Sequence, residues 1–229
     1  MQISEDMLYY SKMTCPNCRR EFQHPEVKSK YISLEKQDSD FCGYYTGINP
    51  IFYDVFICKD CGYAFTRDSS TPLLDTERAT IKTIMSSWRT EGHQYSGLRT
   101  LDQAIKIYNL AILCQELRNA KDSVKSSLYL RLAWLNRYQG NQENEIKALQ
   151  RALEFSKRVF EREAFSELKK ELRMMYLIGE LSFRTGDFKD AVKWFQAVIH
   201  HPQADSYPIF TRMARSRWQD ARQEYKQNS

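Results

Sequence analysis

The spacing of apolar residues changes near residue 66, and this change divides the chain into two parts. Beyond that point apolar positions recur at three- and four-residue steps, and only five glycines and three prolines interrupt them. Such spacing is typical of amphipathic helices. The pattern predicts seven helices, at 74–92, 98–118, 122–139, 142–161, 164–185, 187–200 and 206–226.

Residues 1–66 have the composition of short strands and turns. β-branched and aromatic residues alternate roughly over 27–36 and crowd together over 51–58, which predicts two strands. A Gly-x-Asn-Pro turn signal at 47–50 precedes the second strand. The polar stretch that follows the second strand is rich in helix and strand breakers, and it predicts a linker at 67–73.

The fifth and sixth predicted helices resemble a tetratricopeptide repeat. Gly179 is small where the two helices must approach closely, and Gly186 suits the left-handed end of the first helix. A similar unit surrounds Gly140, but the two turn glycines lie 46 residues apart, and the standard repeat has about 34. The prediction is a helical-repeat domain, with an irregular helical bundle as the alternative.

Two C-x-x-C motifs carry the strongest chemical signal in the sequence, and their cysteines are Cys15, Cys18, Cys58 and Cys61. Two thiolates at this spacing can reach one cation from a tight turn, and two such turns complete a tetrahedron around zinc. A phenylalanine, Phe22 or Phe65, stands four residues after the second cysteine of each motif. The repeated knuckle predicts a zinc ribbon with one structural zinc ion. Iron, which also suits four thiolates, is the alternative.

Three further residues with metal-binding or redox chemistry lie outside the two motifs. Cys42 is a small buried hydrophobe, a substitute ligand or a redox-active thiol beside the metal. Cys114 lies on an apolar helix face, so we predict that it belongs to the core. His24 is a substitute ligand by its chemistry, although its Phe-x-His-Pro context predicts a loop.

Composition and charge narrow the classes of function. No apolar run approaches the about 20 residues of a spanning helix, and the acidic N-terminus does not resemble a signal peptide. We therefore expect a cytoplasmic protein with reduced thiols. The net charge of +5 is uneven, because residues 1–66 hold seven basic and nine acidic residues. This acidic segment disfavours nucleic acid as a partner, since phosphate contacts need cations.

A longer run around the second motif points to a family. The run KQDSDFCGYYTGINPIFYDVFICKDCGYAF, with the upstream TCPNC, resembles the bacterial family known as domain of unknown function 2225. Gly43 departs from the resemblance, because we expect a proline there. The resemblance implies zinc-ribbon character for the four cysteines and a helical-repeat region after them. It implies no activity.

Together these patterns predict an α+β fold that is mostly α. A small zinc-ribbon-like β domain at 1–66 is followed by the linker at 67–73 and a tetratricopeptide-like domain at 74–229. The sequence contains no G-x-S-x-G, no phosphate-binding glycine loop and no H-E-x-x-H, so we predict that the protein is not an enzyme. We predict instead an adaptor or scaffold that docks a protein or peptide in the groove of its helices.

Four residues of the fifth predicted helix are candidates to line that groove: Arg173, Tyr176, Glu180 and Arg184. They lie about one turn apart, beside the stripe that faces the core, and a solvated polar face is the alternative. Two other functions stay open. One is RNA or nucleoprotein binding by the basic helical half, and the other is a redox or zinc sensor that reacts through Cys42. We expect no membrane partner.

Overall fold

The computed structural model describes residues 3–85 and 95–228. Six short strands come first in the chain: β1 (Leu8–Thr14), β2 (Glu21–Val27), β3 (Ser33–Gln37), β4 (Gly43–Thr46), β5 (Phe56–Ile57) and β6 (Ala64–Phe65). The described helices are α1 (Asp75–Met85), α2 (Leu101–Leu117), α3 (Asp122–Gln139), α4 (Gln142–Arg162), α5 (Leu168–Arg184), α6 (Phe188–Ile199) and α7 (Pro208–Gln227). The predicted class, α+β and mostly α, is confirmed.

The strands form three separate antiparallel hairpins, β1–β2, β3–β4 and β5–β6. One strand prediction was wrong, because Pro50–Tyr53 is a 3-10 turn and only Phe56–Ile57 is extended within the predicted strand at 51–58. Pro50 lacks the amide hydrogen that a central strand needs, and the Asn49 side chain caps the turn by accepting from the amide of Ile51 at 3.0 Å. The sequence prediction also missed β1 and β2.

The helix predictions are accurate from α2 onward, and the largest shifts are at the N-termini of α2 and α5. We predicted that α2 begins at residue 98, but it begins at Leu101. The reason is a capping box, in which Thr100 and Gln103 bond each other's amides at 3.2 and 2.9 Å. The last part of the first predicted helix, 86–92, lies outside the described residues.

Tight turns join the helices into packed pairs. Gly140 ends α3 and Gly186 follows α5, with φ angles of 75° and 86°, a conformation that glycine adopts without strain. Gly179 lets α5 and α6 approach closely, because a β-carbon there would lie 2.8 Å from the ring of Phe195. The small residue predicted at this position is therefore required by the packing.

The hydrophobic core crosses the boundary that we predicted between the two domains. One cluster of buried residues extends from Cys15 and Phe65 in the hairpins to Leu135 in α3 and Leu181 in α5. A second cluster joins α5, α6 and α7. The hairpins and the helices thus share one hydrophobic core. The division at residue 66 marks a change in the sequence pattern, but it does not separate two cores.

The segment at 67–73 is packed on the helices, which differs from the predicted linker. Leu73 is buried, and Arg118 of α2 donates to the carbonyl of Ser69 at 2.8 Å. A further polar contact holds α2 against the 3-10 turn at Pro50–Tyr53, because the Tyr108 hydroxyl donates to the carbonyl of Ile51 at 3.0 Å. The cysteine-bearing segment therefore packs on helix α2.

Candidate metal centre and the adjoining groove

The two cysteine motifs form turns with the same backbone hydrogen bonds. The amide of Cys15 donates to the carbonyl of Arg20 at 3.0 Å, and the amide of Cys58 donates to that of Tyr63 at 3.0 Å. Each turn closes one hairpin, β1–β2 or β5–β6. The sequence repeat that predicted two equivalent knuckles therefore corresponds to a repeat in structure.

Both turns place the residue after the second cysteine in the left-handed region. Arg19 has a φ of 61° and Gly62 a φ of 73°. Their amides donate back to the carbonyls of Cys15 and Cys58 at 2.9 and 2.8 Å. Glycine takes this conformation freely, whereas a side chain with a β-carbon pays about 1–2 kcal/mol. The first knuckle therefore holds a strained arginine where the second has a glycine.

The turns bring four thiols together. The sulfurs of Cys15 and Cys61 are 3.6 Å apart, as are those of Cys18 and Cys58, and all four sulfurs lie within 4.8 Å of one another. A zinc ion with bonds of about 2.3 Å places tetrahedral sulfurs about 3.8 Å apart. The cluster has the size and the donor set for one such ion, and all four cysteines are free of disulfides.

Aromatic and polar groups support this cluster. Phe22 and Phe65, the phenylalanines that follow the knuckles, are buried and meet edge to face at 6.2 Å. The Asn17 side chain donates to the sulfur of Cys61 at 3.5 Å. Hydrogen bonds from Cys15 and Cys58 lower the pKa of the Cys61 thiol. Hydrogen bonds within the cluster and burial raise the pKa of the Cys15 and Cys58 thiols, so Cys61 is the member whose surroundings favour the thiolate, the form that binds metal.

Cys42 lies outside the four-thiol cluster. It is fully buried, and its thiol donates to the Tyr138 hydroxyl at 3.5 Å. Burial raises its pKa to about 11, which keeps the thiol protonated and unreactive at neutral pH. The environment of Cys42 is that of a small buried hydrophobe, and it does not support the redox alternative.

The other two candidates also belong to the interior. Cys114 is fully buried, and burial raises its pKa to about 12. His24 lies in β2, which corrects the predicted loop. Its imidazole is buried, with Nε2 donating to the carbonyl of Tyr53 at 2.8 Å and the ring against Phe56. These contacts leave His24 a core residue.

The fold and the site together define a protein in which four thiols, placed so that they can hold one metal ion, join N-terminal hairpins, with a helical domain after them. The chain belongs to the bacterial family described as "Uncharacterized protein conserved in bacteria (DUF2225)", whose model matches residues 8–221. This match confirms the family resemblance. No curated protein and no solved structure matches the chain.

The residues that we predicted to face a partner mostly hold the chain's own middle hairpin. The turn between β3 and β4 lies against α5, where the Tyr176 hydroxyl donates to the carbonyl of Ser39 at 3.1 Å. The Ser39 hydroxyl donates to Glu180 at 2.6 Å, and Arg184 donates to that hydroxyl at 3.1 Å. Tyr176 and Glu180 are fully buried. The β3–β4 turn therefore covers much of the surface that we predicted to line the groove.

The central contact of the turn is Asp40, which is fully buried. Arg137 of α3 binds both carboxylate oxygens of Asp40, at 2.6 and 3.0 Å. Trp134 donates its indole hydrogen to the same carboxylate at 3.2 Å. Our sequence reasoning missed this site, because the partners are almost 100 residues apart and no local pattern connects them.

Arg173 is the one member of the predicted set that stays exposed. Its guanidinium lies over the ring of Phe41, 4.5 Å from the centroid, in a cation–π contact. Phe41 in turn packs on Tyr176. Arg173 therefore marks the edge of the surface that the turn covers. No helix in the described part of the chain is long and apolar enough to cross a membrane.

Proposed function

We propose that this protein is a non-enzymatic, zinc-binding adaptor of the cytoplasm, which docks a protein partner on its helical domain. The observation that carries the proposal is the four-cysteine cluster. Four thiolates from the protein fill a tetrahedral shell and leave no position for a substrate, which is the arrangement of structural zinc sites. The sulfurs of the cluster lie within 4.8 Å of one another, a spacing that suits one ion.

The role of zinc in this proposal is to fix the hairpins against the helices. Two hairpin ends share the ion, and the phenylalanines beneath them belong to the core that also contains α2 and α3. Zinc binding can contribute on the order of 10 kcal/mol to folding. The middle hairpin, β3–β4, lies between the two knuckles in the chain. By fixing both knuckles, the metal therefore also restrains the turn of this hairpin that packs on α5.

The metal part of the proposal is tested by elemental analysis of two cysteine variants. We expect about one zinc per chain in a colourless protein, the loss of zinc from Cys58→Ser, and its retention in Cys42→Ser. Both cysteines are buried, so the pair controls for the loss of a buried sulfur. Iron with absorption in the visible range would contradict the proposal, as would zinc loss from both variants.

The adaptor part is tested by crosslinking the full-length protein in cells and identifying what it captures at low and high salt. We expect a small set of proteins whose capture survives added salt, because a docking groove buries apolar as well as charged surface. Capture of RNA that falls steeply with salt would favour the nucleic-acid alternative. Loss of capture after mild oxidation of the zinc-loaded protein would favour a redox sensor.

A further inference from the structure

The groove continues beyond the turn into an open cavity of about 490 Å³. Helix α3, the C-terminal part of α4 and the N-terminal half of α5 form its walls. Its apolar lining includes Leu130, Trp134 and Leu177, and its cations are Arg131, Lys170 and Arg173. The cavity thus combines an apolar floor with a charged rim, which also includes the carboxylates of Asp68 and Glu163. Its size is that of a site for a few residues of a peptide.

The three cations differ in whether a carboxylate of this chain neutralises them. Arg131 pairs with Asp54 at 2.9 Å, and Lys170 pairs with Glu167 at 2.8 Å. Among the residues that the structure describes, no carboxylate lies within ion-pair distance of Arg173. Desolvation and the neighbouring charge of Arg131 lower the pKa of Arg173. The open end of the groove therefore carries one cation without an anion.

The occupied end of the same groove shows which chemistry these helices bind. The turn presents Asp38 and Asp40 to Arg137 at 3.0 and 2.6 Å and places Phe41 under Arg173. The ligand that the groove already holds is thus an acidic segment with an aromatic side chain next to its carboxylate. Arg173 belongs to both ends, because it contacts Phe41 and lines the open cavity.

We propose that the open cavity binds an acidic peptide segment of the partner protein, with its carboxylate on Arg173. An adjacent aromatic or aliphatic side chain of the segment fills the floor between Leu130, Trp134 and Leu177. Charge complementarity to Arg173 selects this occupant, since Arg131 and Lys170 are already paired with carboxylates of this chain and an acidic group neutralises the cation that is not. This inference rests on the proposed adaptor function, whose partner it describes by its chemistry.

The test uses the full-length protein and a fluorescein-labelled octapeptide that contains Asp-Phe-Asp-Phe between glycines. A matched peptide carries asparagine in place of each aspartate. We expect fluorescence polarisation to show saturable binding of the acidic peptide, and binding of the asparagine peptide weaker by about tenfold or more. A charge-assisted hydrogen bond is worth this factor or more.

Two arginine variants locate the site. Arg173→Gln should weaken the acidic peptide by about tenfold or more, and Arg173→Lys should weaken it less. Arg215→Gln is the matched control, because Arg215 is an exposed arginine on α7, and we expect it to bind as the wild type does. Equal melting temperatures of the three variants would show that the fold is intact.

Several results would overturn the inference. These are equal affinity for the two peptides, equal loss in Arg173→Gln and Arg215→Gln, and displacement of the peptide by single-stranded RNA that binds more tightly. Concentration-dependent dimerisation that Arg173→Gln abolishes would assign the cavity to a second copy of the chain. Each of these outcomes rejects the acidic peptide as the occupant.

A crosslinking comparison separates failure of this inference from failure of the adaptor function. If Arg173→Gln captures the same cellular proteins as the wild type and in the same yield, the cavity is not the docking site and the adaptor function stands. If neither protein captures a partner above the background of the unfolded chain, the adaptor function itself fails.

Discussion

Arg137 in α3 donates hydrogen bonds to both carboxylate oxygens of Asp40, at 2.6 and 3.0 Å. Asp40 lies almost 100 positions earlier in the chain, in the turn between β3 and β4. The two partners are almost removed from water, with side-chain exposures of 13% and 0%. Because the guanidinium also pairs with Asp38 and Glu145, Arg137 is the point at which the middle hairpin and two helices meet. A buried charge held in this way depends on all of its partners.

The first prediction follows from this pair. Asp40→Ala leaves Arg137 with two of its three carboxylates and leaves the indole of Trp134 without its acceptor. Removal of one partner from a buried pair costs about 3–5 kcal/mol. We expect the lower end of that range, because Asp38 and Glu145 remain. Urea denaturation followed by circular dichroism measures the loss.

The control for this prediction is Glu143→Gln, which removes the surface pair of Glu143 with Lys147 on α4. Both side chains are mostly exposed, and such a pair contributes little. We expect no measurable change in the urea midpoint. If Asp40→Ala is as stable as this control, the buried pair does not hold the hairpin in place.

The second prediction concerns the shared core. Because one hydrophobic cluster extends from Cys15 to Leu181, removal of zinc should weaken the helices as well as the hairpins. We expect a chelator to lower the melting temperature of the helical circular dichroism, and the zinc-loaded protein to melt in one transition. Tryptophan fluorescence recorded in parallel follows all four tryptophans of the chain, including Trp134, which contacts the middle hairpin.

The opposite result is equally clear. If the chelated protein keeps its helical signal and its helical melting temperature, residues 74–229 fold on their own. The division at residue 66, which the sequence pattern suggests, would then also describe the folding units. Two separate transitions in the zinc-loaded protein would support the same conclusion.

The sequence predicts local features of this protein well and long-range ones poorly. Helix periodicity located α3 to within a residue, and the C-x-x-C spacing identified the four thiols, since both signals lie within a few residues of chain. The pairing of Asp40 with Arg137 has no such signal. For the same reason the side chains of Tyr176 and Glu180 looked like an open face, although the turn of β3–β4 covers them.

The short strands were difficult for a related reason. β5 has only two residues, Phe56–Ile57, and it is held by the knuckle that follows it. The pattern of β1 is exposed at most positions, so it lacks the alternation by which a strand is recognised. Closure of the hairpins by the cysteine turns defines these elements more than their own apolar pattern does.

The third prediction uses the strained knuckle. Arg19→Gly should stabilise the protein, because the left-handed conformation costs a residue with a β-carbon about 1–2 kcal/mol. Glycine loses more backbone entropy on folding, and this loss offsets about 0.5–1 kcal/mol of the gain. We expect a net stabilisation of about 0.5–1 kcal/mol, measured by urea denaturation of the zinc-loaded protein.

The equivalent position in the other knuckle provides the mirror experiment. Gly62→Ala puts a β-carbon into the same conformation, with a φ of 73°, and should destabilise by about 1 kcal/mol. Opposite signs for the two variants would confirm that the knuckles are structural copies. A destabilised Arg19→Gly would mean that the arginine side chain contributes more than its backbone strain costs.

The fourth prediction is a dependence of stability on pH that arises from His24. Desolvation, with the nearby charge of Arg99, lowers the pKa of the buried imidazole to about 3, while the unfolded chain has an ordinary value of about 6.5. Below pH 6.5 the unfolded state therefore binds a proton that the folded state does not. This contribution to stability is complete above pH 6.5 and is lost as the pH falls toward 3.

The size of the effect is measurable. Below pH 6.5 the free energy of unfolding should decrease by up to about 1.4 kcal/mol per pH unit from this group alone.

His24→Gln keeps a donor for the carbonyl of Tyr53, which accepts from Nε2 of His24 at 2.8 Å, but the glutamine does not titrate. We expect a smaller slope in this variant between about pH 7.5 and 5.5, a range that lies above the ordinary pKa values of carboxylates. His200→Gln, at an exposed position after α6, is the matched control and should keep the slope of the wild type. If His24→Gln and the wild type have the same slope, His24 gains a proton without cost to the fold, and its burial does not set the acid limit of the protein.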